Sequence, residues 1–100
     1  MGRNGEKIMG TKKWTNLGEN VSGIYQIKNL VNGKMYLGQS VDIRTRWWQH
    51  KSQLRLNKHI NTYLQNSWNK YGEDNFEFSV IEFCEIDKLD EREIYWINEL

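Results

Sequence analysis

The sequence predicts a small α+β domain, in which a three-stranded antiparallel sheet is flanked by helices in the order β-β-α-α-β-α. Three observations indicate this class: two alternating segments around an Asn-Gly pair, two amphipathic helical segments in the middle of the chain, and an alternating aromatic segment followed by an acidic amphipathic one. The 100 residues are enough for one hydrophobic core and leave no room for a second domain.

The first two strands are predicted to form an antiparallel hairpin. Residues 22–29 and 34–40 each alternate along the chain as strand residues do. The Asn32-Gly33 pair between them is a strong hairpin signal, because both residue types adopt the backbone conformations that tight turns require.

Two helices are predicted to follow the hairpin. Ser40 and Asp42 are both suitable N-caps for a first helix that ends near Leu56. Residues at helical spacing define its inner face, and they are Ile43, Trp47, His50 and Leu54. A second helix has Gly72 as its αL C-cap, and its marker residues are Ile60, Leu64, Trp68 and Tyr71.

The last two elements are a third strand and a third helix. Phe76, Phe78 and Val80 alternate along the strand, and the helix runs from about Asp87 to Leu100. The inner face of this helix is predicted to carry Leu89, Trp96 and Leu100.

The composition excludes several classes of protein. Residues 1–21 have no periodic pattern, so we predict a flexible leader with Trp14 as a candidate anchor onto the domain. No apolar run is long enough for a membrane span or a signal peptide, so we expect a cytoplasmic protein with no membrane partner. The single cysteine, Cys84, excludes an internal disulfide and any multi-cysteine zinc site.

The net charge of +1 conceals a strong asymmetry along the chain. Residues 1–20 carry +2, residues 21–72 carry +7 and residues 73–100 carry −8. The basic middle segment also contains interleaved Trp, Tyr, Asn, Gln and Ser side chains, which is typical of surfaces that bind phosphate backbones. Charge alone leaves a nucleic-acid partner and an unevenly charged solvated surface as equal alternatives.

Polar side chains interrupt the apolar faces of two predicted helices. His50 lies within the inner face of the first helix, and Arg46 lies at the edge of that face. Glu93 lies near the middle of the inner face of the last helix. A buried carboxylate is costly unless it is paired or binds a metal, and such exceptions concentrate at functional sites. The structural alternatives are a hydrogen-bonded core histidine, an Arg46–Glu93 ion pair, and packing roles for Tyr25 and Tyr36.

The ordered motifs resemble those of the GIY-YIG nuclease superfamily. Gly23-Ile24-Tyr25 and Tyr36-Leu37-Gly38 match its two triplets, with an aliphatic residue in the middle of the second. The further matches, in chain order, are Arg46, His50, His59, the segment 64–72, the strand at Phe76, and Glu93. The resemblance covers about residues 22–100, and the wording GIYQIKN, NGKMYLGQS and RWWQH is similar to the phage and group I intron homing endonucleases.

The resemblance implies a metal-dependent endonuclease that hydrolyses double-stranded DNA with one Mg²⁺ or Mn²⁺ ion. Glu93 would hold the ion, since Mg²⁺ typically takes one or two protein carboxylates and completes its shell with water and phosphate. Arg46 would place its donors on the phosphate. By analogy with the family, one of Tyr25 and Tyr36 activates the water, with Tyr25 preferred, and His50 takes the proton from that tyrosine.

The residues expected to contact DNA are Lys28, Gln39, Lys51 and His59, of which His59 is equally interpretable as a surface residue at a helix start. We expect the domain to end early, without a separate DNA-binding region, and to bind DNA weakly as a monomer with strong salt dependence. The alternative functions are a weakly active or inactive nucleic-acid-binding module, a repair- or restriction-type nuclease of the same fold, and a plain α+β interaction domain.

Overall fold

The computed structural model describes residues 17, 18 and 20–100; the candidate anchor Trp14 and most of the predicted leader lie outside the described residues. In this part of the chain the strands are β1 (Gly23–Asn29), β2 (Met35–Ser40) and β3 (Phe76–Phe83), and the helices are α1 (Ile43–Arg55), α2 (Thr62–Tyr71) and α3 (Leu89–Glu99). Short 3-10 turns at Glu73–Asn75 and Ile86–Lys88 precede β3 and α3. The predicted element order is confirmed.

The sheet is antiparallel, with β1 in its centre and the strand order β2-β1-β3. The predicted hairpin joins β1 to β2, and the Asn29 N–H closes its loop by donating to the Lys34 carbonyl over 2.8 Å. In the β1–β2 register Tyr25 lies opposite Gly38, and Ile27 lies opposite Tyr36. These four residues therefore share one face of the sheet.

Helices α1 and α2 cover the face that carries Tyr25, and the hydrophobic core lies between these helices and the sheet. Its buried members are Tyr25, Ile27, Ile43, Trp47, Leu54, Leu64 and Trp68. Asp42 is the N-cap of α1, where its side chain accepts from the Thr45 N–H, while the Ser40 hydroxyl, two residues earlier, accepts from the Asp42 N–H. The predicted inner face of α1, including His50, is confirmed.

Helix α3 covers the opposite face of the sheet. Ile24 lies between Gln39 of β2 and Glu82 of β3 in the strand register, so these three residues form a row on that face. The Glu82 carboxylate accepts hydrogen bonds from Arg92 Nε at 2.7 Å and from Trp96 Nε1 at 2.9 Å. Side chains of α3 are thereby held against both edge strands, since Gln39 also bonds to this helix.

Three details of the predicted helices are wrong. Ile60 lies before α2 and is 91% exposed, because the chain between the two helices turns here and does not continue the helical face. Gly72 follows α2 with φ 89° and ψ 152°, which is outside the αL region. Within α3 only Leu89 is buried and Leu100 is exposed, because this helix is attached largely by polar contacts. No helix in the described ranges has the length and apolar content to cross a membrane.

Candidate active site

The glycine of each sequence triplet lies where a strand or ring approaches too closely for a side chain. The Tyr25 phenol lies over Gly38, and a Cβ at that position would be 2.5 Å from the phenol oxygen. A Cβ at Gly23 would collide with the Glu82 carbonyl oxygen of β3. Because Gly38 has no side chain, the Tyr25 side chain can lie across the edge strand β2. The Tyr25 hydroxyl therefore reaches the border of the sheet that β2 forms.

Two tyrosines and two histidines form one cluster above this border. The Tyr25 hydroxyl is 2.7 Å from His50 Nε2, and His50 Nδ1 is 2.7 Å from His59 Nε2. The two imidazole rings are nearly parallel, with an angle of 19° between their planes and their centroids 5.0 Å apart. Tyr36 meets both rings edge-on, with its centroid 5.4 Å from that of His50 and 6.3 Å from that of His59. The structure therefore brings four of the predicted site residues into one connected cluster.

His59 is held in this cluster by hydrogen bonds to Gln65 of α2 and to Asn61, the N-cap of that helix. Its backbone N–H donates to Gln65 Oε1 at 3.0 Å, and the Asn61 backbone N–H donates to His59 Nδ1 at 3.0 Å. The buried Gln65 side chain in turn donates to the Leu54 carbonyl oxygen at 3.0 Å. With 6% of its surface exposed, His59 is buried, so its interpretation as a surface residue is wrong. Its predicted contact with DNA stays a prediction.

Burial favours the neutral forms of all three hydrogen-bonded groups. Desolvation raises the pKa of Tyr25 to about 12, and the Arg46 guanidinium only partly opposes this rise. Burial is the main cause that lowers the pKa of His50 to about 4, and the neighbouring His59 and Arg46 act in the same direction. The pKa of His59 is also lowered, again mainly by burial. The hydrogen-bonded groups Tyr25, His50 and His59 are therefore uncharged near neutral pH.

Arg46 lies on the exposed side of α1 beside the cluster. Its guanidinium reaches Gln49 Oε1 at 3.4 Å, and its charge acts on Tyr25, His50 and His59. Among the residues that the structure describes, no ion pair joins Arg46 to Glu93. The alternative of a buried structural ion pair is therefore wrong, and the Arg46 side chain is open to solvent.

Glu93 approaches the same border from the other face of the sheet. Gln39, the residue after Gly38, donates through its Nε2 to Glu93 Oε1 and to Asp90 Oδ1, each at 2.8 Å. The charge of Glu93 contributes to the raised pKa of Tyr25. Edge strand β2 thus separates the tyrosine cluster from a pair of carboxylates on successive turns of α3.

The donor atoms around Glu93 fit a small divalent cation. The carboxylates of Glu93 and Asp90 lie close together, since both accept from the same Gln39 amide nitrogen, and they offer two hard oxygen ligands. Mg²⁺ typically takes one or two protein carboxylates, with water and phosphate as its other ligands. No cluster of three or more His, Cys, Asp or Glu side chains suited to a metal occurs in the described ranges. Asp90 was not among the predicted site residues, although its spacing of three residues from Glu93 on a helix was a usable signal.

The four expected DNA contacts are scattered over the molecule. Lys28 and Gln39 lie on the same face of the sheet, opposite to the face that carries Tyr25. Lys51 Nζ is 3.3 Å from Glu73 Oε2, and Gln39 is bonded to α3 as described above. The structure therefore does not bring these side chains and His59 together on one surface.

An ion cluster and a cavity also escaped the sequence analysis. Glu73 receives a bidentate hydrogen bond from Arg55, at 2.8 Å from Nε and 2.7 Å from Nη2. A cavity of about 390 Å³ lies beside Tyr36, between the hairpin loop and α2. The polar side chains that line it include Lys34, Lys70, Asn32, Asn61, Asn66 and Ser67. Only the tertiary fold brings these residues together.

Comparison with known proteins identifies the family. The model of the GIY-YIG catalytic domain matches residues 21–100. Intron-associated endonuclease 1 of Enterobacteria phage T4 is 46% identical in an alignment of 81 residues that covers 79% of this chain and 33% of that protein. Probable intron-encoded endonuclease 1 of Neurospora crassa is 38% identical over 61 residues, which are 61% of this chain and 19% of that protein.

A solved structure agrees with this assignment. The catalytic domain of homing endonuclease I-TevI superposes with a TM-score of 0.73 and 44% sequence identity, covering 79% of this chain and 87% of that chain. The chain spans a third or less of the length of the two curated relatives. The resemblance read from the sequence motifs is confirmed, and the chain belongs to the GIY-YIG catalytic domain family.

Proposed function

We propose that residues 22–100 form the catalytic domain of a homing-type endonuclease that hydrolyses phosphodiester bonds of double-stranded DNA. The observation that carries this proposal is the convergence at the border of β2. The Tyr25 hydroxyl arrives over Gly38 from one face, and Glu93 is held by the neighbouring Gln39 on the other. The names of the relatives, which are endonucleases, support the same reaction class.

Arg46 and Glu93 take the two electrostatic roles in this proposal. The exposed Arg46 guanidinium binds the non-bridging oxygens of the phosphate, where negative charge accumulates in the transition state. Glu93, with Asp90 beside it, holds one Mg²⁺ or Mn²⁺ ion. When bound, such an ion neutralises charge at the phosphate and assists the leaving oxygen.

The two tyrosines differ in exposure, and this difference assigns their roles. Tyr25 is 1% exposed, and its raised pKa keeps the phenol protonated, so we assign it to donating a hydrogen bond at the reacting phosphate. Tyr36 is partly exposed and lines the cavity, so it has access to water. We therefore assign water activation to Tyr36 and not to Tyr25, the residue preferred from the resemblance.

The cavity beside Tyr36 provides a place for the DNA backbone. Lys34 and Lys70 line the cavity and are exposed, and the other lining residues include no acidic side chain. Cationic side chains next to a proposed water-activating residue suit a flanking phosphate. We propose that one protein monomer binds one DNA duplex in this way.

Cleavage of supercoiled plasmid in the presence of Mg²⁺ or Mn²⁺ tests the proposal. We expect nicking that stops on addition of chelator and is lost in Arg46→Ala. The matched control is Arg44→Ala, which removes an exposed positive charge from the same helix and should retain nicking. A folded chain that binds DNA without nicking it at high concentration, with either metal, would overturn the nuclease assignment and favour a binding module.

A further inference from the structure

The hydrogen bonds around His59 determine where the protons of the histidine cluster lie. The Asn61 backbone N–H donates to His59 Nδ1 at 3.0 Å. A backbone N–H is only a donor, so this nitrogen of His59 carries a lone pair and no proton. A neutral imidazole has one protonated nitrogen, which in His59 must then be Nε2.

The protonation of His59 determines which nitrogen of His50 carries the proton. His59 Nε2–H points to His50 Nδ1 at 2.7 Å, so His50 Nδ1 accepts and carries no proton. His50 must therefore be protonated on Nε2, the atom that lies 2.7 Å from the Tyr25 hydroxyl oxygen. Both histidine rings are buried, which favours the neutral state that this argument requires.

We propose that His59 is a positioning residue that fixes the tautomer of His50, so that His50 donates a hydrogen bond to Tyr25 and does not accept its proton. The chain of donors begins at the Asn61 amide and ends at the Tyr25 oxygen. The catalytic consequence rests on the proposed nuclease function, whereas the tautomers do not. The role implied for His50 by family resemblance, accepting the tyrosine proton, is replaced by that of a donor.

The consequence for Tyr25 is a defined orientation of its hydroxyl group. An oxygen that accepts from His50 Nε2–H directs its own proton away from that histidine. Tyr25 then acts at the substrate as a hydrogen-bond donor, in agreement with its assignment above. If the His50 tautomer were reversed, its Nε2 would accept from the phenol and the Tyr25 proton would be occupied inside the protein.

Nitrogen NMR of the unmodified chain tests the tautomers directly. The chain contains two histidines, so long-range proton–nitrogen spectra of the ¹⁵N-labelled protein at neutral pH contain two imidazole patterns. We expect both rings to show a protonated, pyrrole-type Nε2 and an unprotonated, pyridine-type Nδ1. A His50 ring protonated on Nδ1, or either ring fully protonated, would overturn the proposal. This readout does not depend on nuclease activity.

A matched pair of variants tests whether His59 causes the tautomer. His59→Gln keeps a donor for His50 Nδ1, whereas His59→Phe keeps an aromatic ring at this position and removes the donor. We expect His50 to remain protonated on Nε2 in the Gln variant and to populate both tautomers in the Phe variant. In an active protein the Phe variant should also lose between about tenfold and a hundredfold in single-turnover rate. A folded Phe variant whose His50 keeps the single tautomer would refute the assignment to His59.

Discussion

Tyr25 and Gly38 are opposed in the β1–β2 register, and the phenol ring of the first occupies the space that a side chain of the second would need. This contact connects the two sequence triplets physically. It also determines the position of the Tyr25 hydroxyl, which in turn meets His50 at 2.7 Å. The geometry of the proposed site therefore depends on the absence of one methyl group on the edge strand.

Replacing Gly38 by alanine should displace Tyr25 and break its hydrogen bond to His50. Forcing a methyl group into a packed contact costs roughly 1–3 kcal/mol, and the displaced phenol should reduce cleavage by about a hundredfold. Urea unfolding and single-turnover cleavage measure the two effects. Gly18→Ala is the control, because its Cβ would be 3.7 Å from Val21 in ordinary contact. Equal stability and activity of the two variants would contradict the close approach.

Stability should fall when the solution is acidified through the range in which His50 titrates. Its pKa is about 4 in the folded protein against 6.5 for the free side chain, so the unfolded chain binds more protons between these values. The stabilisation is complete above pH 6.5 and is lost as the pH falls toward 4, with a size of roughly 1–3 kcal/mol. The lowered pKa of His59 acts in the same direction.

Urea titrations between pH 4 and 7 measure this loss, and His50→Gln provides the comparison. The variant should show a smaller decrease of the free energy of unfolding over this range, because one of the two buried histidines is absent. A variant with the same pH dependence as the unmodified chain would show that His50 is not the group responsible.

A second pH dependence should appear in more acidic solution, and it belongs to Glu73. Hydrogen bonds from Arg55 and Lys51 lower its pKa to about 2 from 4.5. The stabilisation is therefore present above pH 4.5 and is lost as the pH falls through 2. Because the carboxylate is partly exposed, solvent screening reduces its contribution to roughly 1 kcal/mol. Glu73→Gln should be less stable than the unmodified chain at pH 7, and the difference should shrink at pH 2 and in high salt.

Lys34 and Lys70 should contribute to DNA binding more than Lys28 does. The first two lie at the cavity beside Tyr36, whereas Lys28 lies on the face opposite the cluster. Each phosphate contact contributes about 0.9 to the slope of log affinity against log salt, so Lys34→Gln with Lys70→Gln should reduce the slope by about 2. Lys28→Gln should leave it unchanged. The reverse ranking would place the DNA on the other face of the sheet.

The sequence predicted the elements that depend on neighbouring residues and missed those that depend on the tertiary fold. The hairpin follows from Asn32-Gly33, and α1 follows from its spacing of buried residues. Ile60 was wrongly placed in a helix, because the hydrogen bonds that hold this turn have no periodic signature. The His59 N–H donates to Gln65 and the Asn61 N–H donates to His59. These bonds also bury His59, which no local pattern indicated.

The same distinction applies to the candidate site. The motif spacing identified Tyr25, His50 and Glu93 as candidates, and the structure gives each a specific neighbour. The sequence could not show that Gln39 joins Asp90 to Glu93, because this contact crosses from an edge strand to the last helix. It also could not show the direction of the hydrogen bonds in the histidine cluster.

The most direct test of the account is the metal dependence of cleavage in Glu93→Gln. Because Glu93 has no ion-pair partner in the described part of the chain, and glutamine retains an oxygen for Gln39, the variant should melt within a few degrees of the unmodified protein. Its cleavage rate should be lower by about a hundredfold or more at saturating Mg²⁺. The control Glu91→Gln, an exposed carboxylate of the same helix, should cleave normally. Cleavage by Glu93→Gln at the unmodified rate, or cleavage that persists with chelator, would contradict the proposed site.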